Sequence, residues 1–284
     1  MILIVRGLPQ EGEATSLAAI EGREVARVRD LIVREGREPS SDEIGSLYRC
    51  AGDLLYRRQG RKCAYCERCE ERRRNDVEHF RPKARANRLP GSALTHGYWW
   101  LAWRWDNLLF ACRNCNQIVS RERGKQDHFP LGVGSAVLTA EQVPGQCAIA
   151  EDTLLLDPAS ESAMEHFRFE RLSVGGALQW RPRPLTEKGA QTIRVCALDR
   201  DDLLDDYVEH VESIVRTQVQ RLDALGHPVA DDVWRRTWMD IEAWLYTRTR
   251  PFVALSYDAL KVLVPDEDLA ERRATRRRPA ECWG

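Results

Sequence analysis

Apolar residues recur at helical spacing from position 15 to position 37, with Leu17, Ile20, Val25, Val28, Leu31 and Ile32 on one face. This period predicts an amphipathic helix over about Thr15 to Arg37, preceded by a short apolar run, Ile2 to Val5. After Pro39, Ser40-x-x-Glu43 has the form of a capping box, in which a hydroxyl and a carboxylate each satisfy a backbone N–H at a helix start. The stripe Ile44, Leu47, Tyr48, Ala51, Leu54 and Leu55 then predicts a second helix, which Gly60 ends. From 61 to 131 the helical period disappears, and short strand-like runs are mixed with Cys, His, Trp and Arg. Thr153 to Pro158, His166 to Phe169 and Leu178 to Trp180 read as short strands, the last two joined through a Gly175-Gly176 turn. Helical spacing returns from Asp201 to about Leu225, through Leu204, Tyr207, Val211, Ile214, Val215 and Leu222, and again from Asp231 to Arg248, through Trp234, Trp238, Ile241 and Leu245. Pro251 breaks that helix, Phe252 to Val264 predicts one more, and the basic end, Arg272 to Arg278, is expected to fray.

These elements predict an α+β chain with a central small-sheet core flanked by N- and C-terminal α-helices. The expected organisation is an N-terminal helical segment over 1–60, a site-bearing core over 61–131, and a small hairpin followed by a C-terminal helical region over 132–284. Neither an internal repeat nor a low-complexity linker separates them, so the helical ends are expected to pack on the middle. With 284 residues, 43% apolar and 31% charged, the composition is that of a globular chain. No stretch approaches the ~20 apolar residues of a bilayer span, and the start has no secretory pattern, which predicts a cytoplasmic protein without a membrane. In that reducing compartment the nine cysteines read as thiols.

Net charge is only −1, but it is unevenly placed: Arg57 to Arg88 holds twelve basic residues against five acidic ones, a stretch on which a polyanion could dock. The same stretch opens a cysteine pattern. Cys63-x-x-Cys66 and Cys112-x-x-Cys115 supply four thiolates in the turn geometry that structural zinc uses, separated by 45 residues that must build something between them. Cys66-x-x-Cys69 overlaps the first pair and offers an alternative, with Cys63 and Cys66 preferred. Cys50, Cys147, Cys196 and Cys282 stand alone and are read as packing or surface residues. Between the pairs lies Asp76-Val-Glu-His-Phe-Arg-Pro-Lys83, where an acid and an imidazole are adjacent. Phosphodiester hydrolysis needs a base, a cation and groups that hold the anion. Neutral His79 suits the first, Glu78 can bind Mg²⁺ or another hard divalent ion, and Arg81 and Lys83 can hold phosphate. The tryptophans of Tyr98-Trp-Trp-Leu-Ala-Trp-Arg-Trp105 can stack on bases, although packing against the helices is the stronger expectation. His128 and His96 are lesser candidates for a ligand or phosphate contact, and His166, His210 and His227 are taken as structural.

The order Cys-x-x-Cys, Glu78-His-x-x-Pro82, Asn107-Leu, then Cys-x-x-Cys-Asn116 resembles the zinc-bearing HNH endonucleases. The resemblance implies a ββα-metal core over 61–131. It pairs His79, the general base, with Asn107, which fixes the loop and the base's orientation, as catalytic residues. It makes Glu78 and Asn116 the ligands of the catalytic metal. The family more often has Asp where this chain has Glu78, one methylene longer. A narrower likeness, over about 1 to 215, rests on Ile4-Val-Arg-Gly7, Gln59-Gly-Arg-Lys-Cys-Ala-Tyr-Cys-Glu67, Glu78-His-Phe-Arg-Pro-Lys83, Lys125 with Phe129-Pro130, Leu155-Leu-Asp-Pro158 and His166-Phe-Arg-Phe169. These pieces resemble the PtuB-like HNH proteins of Septu and retron-linked anti-phage systems. That resemblance implies a nucleic-acid target, with DNA favoured over RNA, and a partner ATPase of the ABC or SMC-like class. Two other readings stay open: a non-catalytic zinc module that binds nucleic acid, and an adaptor subunit of a defence complex assembled through the C-terminal helices.

Overall fold

The structure, a computed structural model, describes residues 4, 7, 15–88, 94–117, 123–224 and 231–264, except for the side chains of 15, 16, 231, 232, 234 and 235. Cys282, His227, the Trp234 side chain, the basic end and most of the Ile2–Val5 run lie outside the described residues.

The first predicted helix forms as α1 (Thr15–Glu35), with Leu17 and Val28 buried. The capping box also forms: the Glu43 N–H donates to Ser40 Oγ, and the Ser40 N–H donates to Glu43 Oε2. The helix that it starts is short, however. α2 (Ser41–Ile44) stops at Gly45, whose φ of +79° is a left-handed value that glycine adopts without strain, and the chain resumes as a 3-10 turn (Leu47–Ala51) and α3 (Gly52–Arg58). The buried stripe survives this break because Ile44, Tyr48, Ala51 and Leu55 all still reach the core.

The central sheet is a two-stranded antiparallel pair of β1 (Asp76–His79) and β4 (Leu108–Ala111), in register Glu78↔Leu109 and His79↔Leu108. All four residues of β4 are buried, so its polar backbone needs partners beyond β1. Gln59 supplies them from the end of α3: its side-chain oxygen accepts from Phe110 N at 2.8 Å and its amide donates to Phe110 O at 2.9 Å. Between the two strands run a short hairpin, β2 (Arg85–Ala86) with β3 (Thr95–His96), and a 3-10 turn (Trp99–Leu101). α4 (Arg113–Asn116) follows β4 directly. Trp99, Trp100 and Trp103 are buried, which matches the packing expectation and leaves none of the three available to stack on bases in this conformation.

Thr153 to Pro158 was expected as a strand but forms only an isolated bridge, Leu131↔Thr153. The predicted hairpin forms and is longer than its sequence pattern: β5 (Phe167–Val174) pairs with β6 (Ala177–Pro184) around Gly175-Gly176. α5 (Glu187–Val195) is an addition. The region from 201 forms α6 (Asp201–His210), a π-helical turn (Val211–Val215) and α7 (Arg216–Asp223), followed by α8 (Asp231–Leu245) and α9 (Val253–Leu263). α9 packs on β5, where Asp258 Oδ2 accepts from Phe169 N at 2.8 Å. Helices and small two-stranded sheets together make a mixed α+β architecture. Among the described residues, no helix is long and apolar enough to cross a membrane.

Candidate metal centre and active-site cleft

The turn Cys63–Cys66 and the β4–α4 junction bring four sulfurs together. Cys63, Cys66, Cys112 and Cys115 are all buried, with ligand atoms within 4.8 Å of one another. All four thiols are free, and Cys66 Sγ lies 3.8 Å from Cys112 Sγ. A tetrahedral ion with metal–sulfur bonds of about 2.3 Å holds its sulfurs about 3.8 Å apart, so the donors fit zinc by type and by spacing. The surroundings prepare the site as well: the main-chain Cys112 N donates to Cys63 Sγ at 3.3 Å, and the Arg200 guanidinium donates through Nη1 to Cys115 Sγ at 3.5 Å. Hydrogen bonds from the other three cysteines hold the Cys66 thiol well below its ordinary value, while burial pushes Cys115 well above it. A dication removes that conflict because it favours thiolate at every position. Cys69 is exposed, bonds to Thr249 O and lies outside the cluster, as the preference for Cys63 with Cys66 anticipated.

A cleft of about 840 Å³ opens beside this cluster, and Asp76, Glu78, His79, Lys83 and Asn116 all line it. Strand alternation gives Asp76 and Glu78 one face of β1. Asn116, at the end of α4, donates from Nδ2 to Asp76 Oδ2 at 3.0 Å. Its Oδ1 is buried without a hydrogen-bond partner, an oxygen that a hard cation would satisfy. His79 Nε2 lies 2.9 Å from Ala102 O. A carbonyl can only accept, so Nε2 carries the proton and Nδ1 keeps its lone pair. Tyr48 packs edge-on against the ring at 4.4 Å. Burial pushes His79 down to about 3, with the Lys83 and Lys125 charges adding to it, so the imidazole is neutral at pH 7.

Asn107 does not enter the cleft lining. Its Oδ1 accepts from Arg81 N at 2.8 Å, and its Nδ2 donates to Arg81 O and to Leu101 O, both at 3.1 Å. It therefore ties the turn after β1 to the segment that carries Ala102 O, the acceptor for His79. Arg81 stands apart from its expected phosphate role. Its Nε donates to Glu151 Oε2 at 2.8 Å, the Glu151 side chain is fully buried, and the guanidinium lies over Phe80 and Phe129 rather than in the cleft. Lys83 does line the cleft while donating to Ser41 O and Gly45 O, and burial together with the Arg49 charge pushes its pKa down to about 8. Of the twelve basic residues between Arg57 and Arg88, only Lys83 and Arg85 face this space. His96 also lines the cleft, while His128 bonds to Gly124 O outside it.

Two groups in the site escaped the sequence reading. Asp76 was marked by its i, i+2 relation to Glu78 on a strand. Lys125 is fully buried with its Nζ 3.0 Å from Glu78 Oε1, and burial pushes Glu78 up while this ammonium opposes the shift. No local pattern marks a lysine for burial.

Over 176 residues the chain is 33% identical to the Septu protein PtuB of Bacillus mycoides (strain KBAB4). The matched stretch is 61% of this chain and 55% of the relative, so the chain spans about half the length of the curated relative it matches. No family model matches the chain, and no solved structure matches it.

Proposed function

We propose that the chain is a metal-dependent endonuclease of the HNH type that hydrolyses phosphodiester bonds in nucleic acid, with DNA favoured, as the effector of an anti-phage defence system. The observation that carries the reading is the convergence on one cleft of an imidazole with its Nε2 committed to Ala102 O, two carboxylates from β1 and the orphaned Asn116 oxygen. The ββα order β1, β4, α4 and the cysteine cluster at its base agree with that reading, as does the likeness to a Septu protein.

Asp76, Glu78 and Asn116 are the groups that would hold a divalent cation, Mg²⁺ or a similar hard ion. Such an ion, when bound, offsets charge on the phosphate and on the leaving oxygen. His79 takes a proton from water on Nδ1 as the water oxygen bonds to phosphorus. The P–O bond to the leaving group then breaks, and the leaving oxygen acquires a proton from solvent. Lys83 and Arg85 steady the flanking phosphates. Cys63, Cys66, Cys112 and Cys115 would hold a zinc ion that braces the fold without entering the chemistry. The reading includes a partner ATPase of the ABC or SMC-like class, on the strength of the sequence resemblance.

His79→Ala should abolish divalent-dependent cleavage of an oligonucleotide while leaving zinc content and melting near wild type. A wild-type chain that binds nucleic acid but never cuts, alone or with candidate partners, would replace this reading with that of a zinc-stabilised binding or adaptor subunit.

A further inference from the structure

The Lys125 side chain has no exposed surface, and its ammonium lies 3.0 Å from Glu78 Oε1 while donating to His79 O at 3.1 Å and to Gln126 O at 3.4 Å. Burying a charge is costly unless it is paired, so this arrangement has to be held by the surrounding structure. The backbone of the same segment reaches the other half of the site: Lys125 N donates to Cys115 O at 2.8 Å and Gln126 N to Asn116 O at 2.7 Å. One short segment therefore grips β1 through a side chain and α4 through its main chain, and it sets Glu78 and Asn116 relative to one another.

The pairing also fixes what Glu78 can offer. Its Oε1 faces the ammonium across 3.0 Å as an ion pair, so part of the charge it could offer a cation is already offset. In the cleft Asp76 and Glu78 are the carboxylates beside the Asn116 oxygen, and Lys125, buried behind Glu78, is the cation that faces them. Ions of the Mg²⁺ type are held by one or two carboxylates together with phosphate oxygens. Two carboxylates, one of them already facing an ammonium, leave part of the ion's charge unmatched, and a phosphate supplies the remainder.

We propose that Lys125 is a positioning residue whose ion pair with Glu78 makes the cleft take up its divalent cation together with a phosphate of the nucleic acid rather than before it. The inference rests on the nuclease reading and adds to it an order of assembly. By linkage, cation and nucleic acid must then strengthen each other's binding by the same factor.

The test uses the full-length His79→Ala protein, which keeps the floor ligands and does not turn over. Mn²⁺ is titrated with and without a single-stranded oligonucleotide, free ion is followed by its paramagnetic resonance signal, and ions held by the oligonucleotide alone are subtracted. The oligonucleotide should raise Mn²⁺ affinity by at least about tenfold, and Mn²⁺ should raise oligonucleotide affinity equally; Lys125→Met in the same background should raise affinity for Mn²⁺ alone by about tenfold and shrink the coupling. Equal Mn²⁺ affinity with and without the oligonucleotide would overturn the proposal, and this measurement needs no Lys125 variant to fold. So would a Lys125→Met protein with normal zinc content and melting whose Mn²⁺ affinity is unchanged or lower. Cleavage by wild type without coupling would remove this inference alone, whereas coupling without cleavage would remove the nuclease reading alone.

Discussion

Asn107→Ala removes a side chain that is 4% exposed and makes three hydrogen bonds, to Arg81 N at 2.8 Å and to Arg81 O and Leu101 O at 3.1 Å. Leu101 O keeps Arg104 N as a donor, whereas Arg81 N and Arg81 O lose their partner; at about 1–3 kcal/mol for each group left unpaired, the expected loss of stability is about 2–5 kcal/mol. The functional loss should exceed the loss of folded protein. Leu101 precedes Ala102, whose carbonyl fixes the His79 tautomer and ring position. Loosening that carbonyl by about 1 Å can cost on the order of 100-fold in rate. Urea unfolding gives the first quantity, and single-turnover cleavage at a temperature where the variant stays folded gives the second. A stability loss below about 1 kcal/mol would show that the three bonds are not what holds this turn. A large stability loss with an unchanged rate would detach Asn107 from the base and refute the positioning role.

Cys112→Ser should lower zinc stoichiometry and soluble yield because structural zinc contributes folding free energy, whereas Cys69→Ser should change neither; elemental analysis of both purified variants decides this. Arg81→Ala should cost about 3–5 kcal/mol by stranding the buried Glu151 carboxylate, yet leave the salt dependence of nucleic-acid binding unchanged. Lys83→Ala should instead reduce the slope of log affinity against log salt by about one, so equal slopes in wild type and this variant would remove Lys83 from the phosphate path. His210 donates or accepts at 2.7 Å with Ser256 Oγ in the core, and burial holds it down at about 4 against an ordinary 6.5. The unfolded chain therefore takes up the proton first, and the stability this neutral imidazole contributes above pH 6.5 is lost as pH falls toward 4. Wild type should lose about 3 kcal/mol relative to His210→Gln between pH 7 and pH 4, read from unfolding at each pH.

Much of this structure could be read in the chain wherever the signal was local. The α1 stripe, the Ser40–Glu43 box and the Gly175-Gly176 turn each encode their geometry in a few neighbouring residues. The four cysteines were legible for the same reason, since two Cys-x-x-Cys turns need only one ion to bring them together. The break at Gly45 was hidden because the apolar stripe continues across it. α5 was missed although Thr186 caps it and Glu187 opens it, because too few of its positions are apolar to declare a helical period. The contacts of Arg81 and Lys125 were not legible for a common physical reason: their partners are distant in sequence. Glu151 lies 70 residues beyond Arg81 and captures its guanidinium, while Lys125 lies 46 residues beyond the His79 carbonyl it binds. Proximity in sequence to His79 suggested one as a site residue and gave no reason to choose the other.

The role of His79 as the base can be isolated by cavity rescue. His79→Gly removes the imidazole and leaves Asp76, Glu78, Asn116 and the cysteine cluster in place. Single-turnover cleavage of a labelled oligonucleotide in Mg²⁺ should be lost in this variant and partly restored by free imidazole, with no such gain for wild type. Cleavage by His79→Gly at the wild-type rate without imidazole would contradict the assignment of the base and, with it, the site.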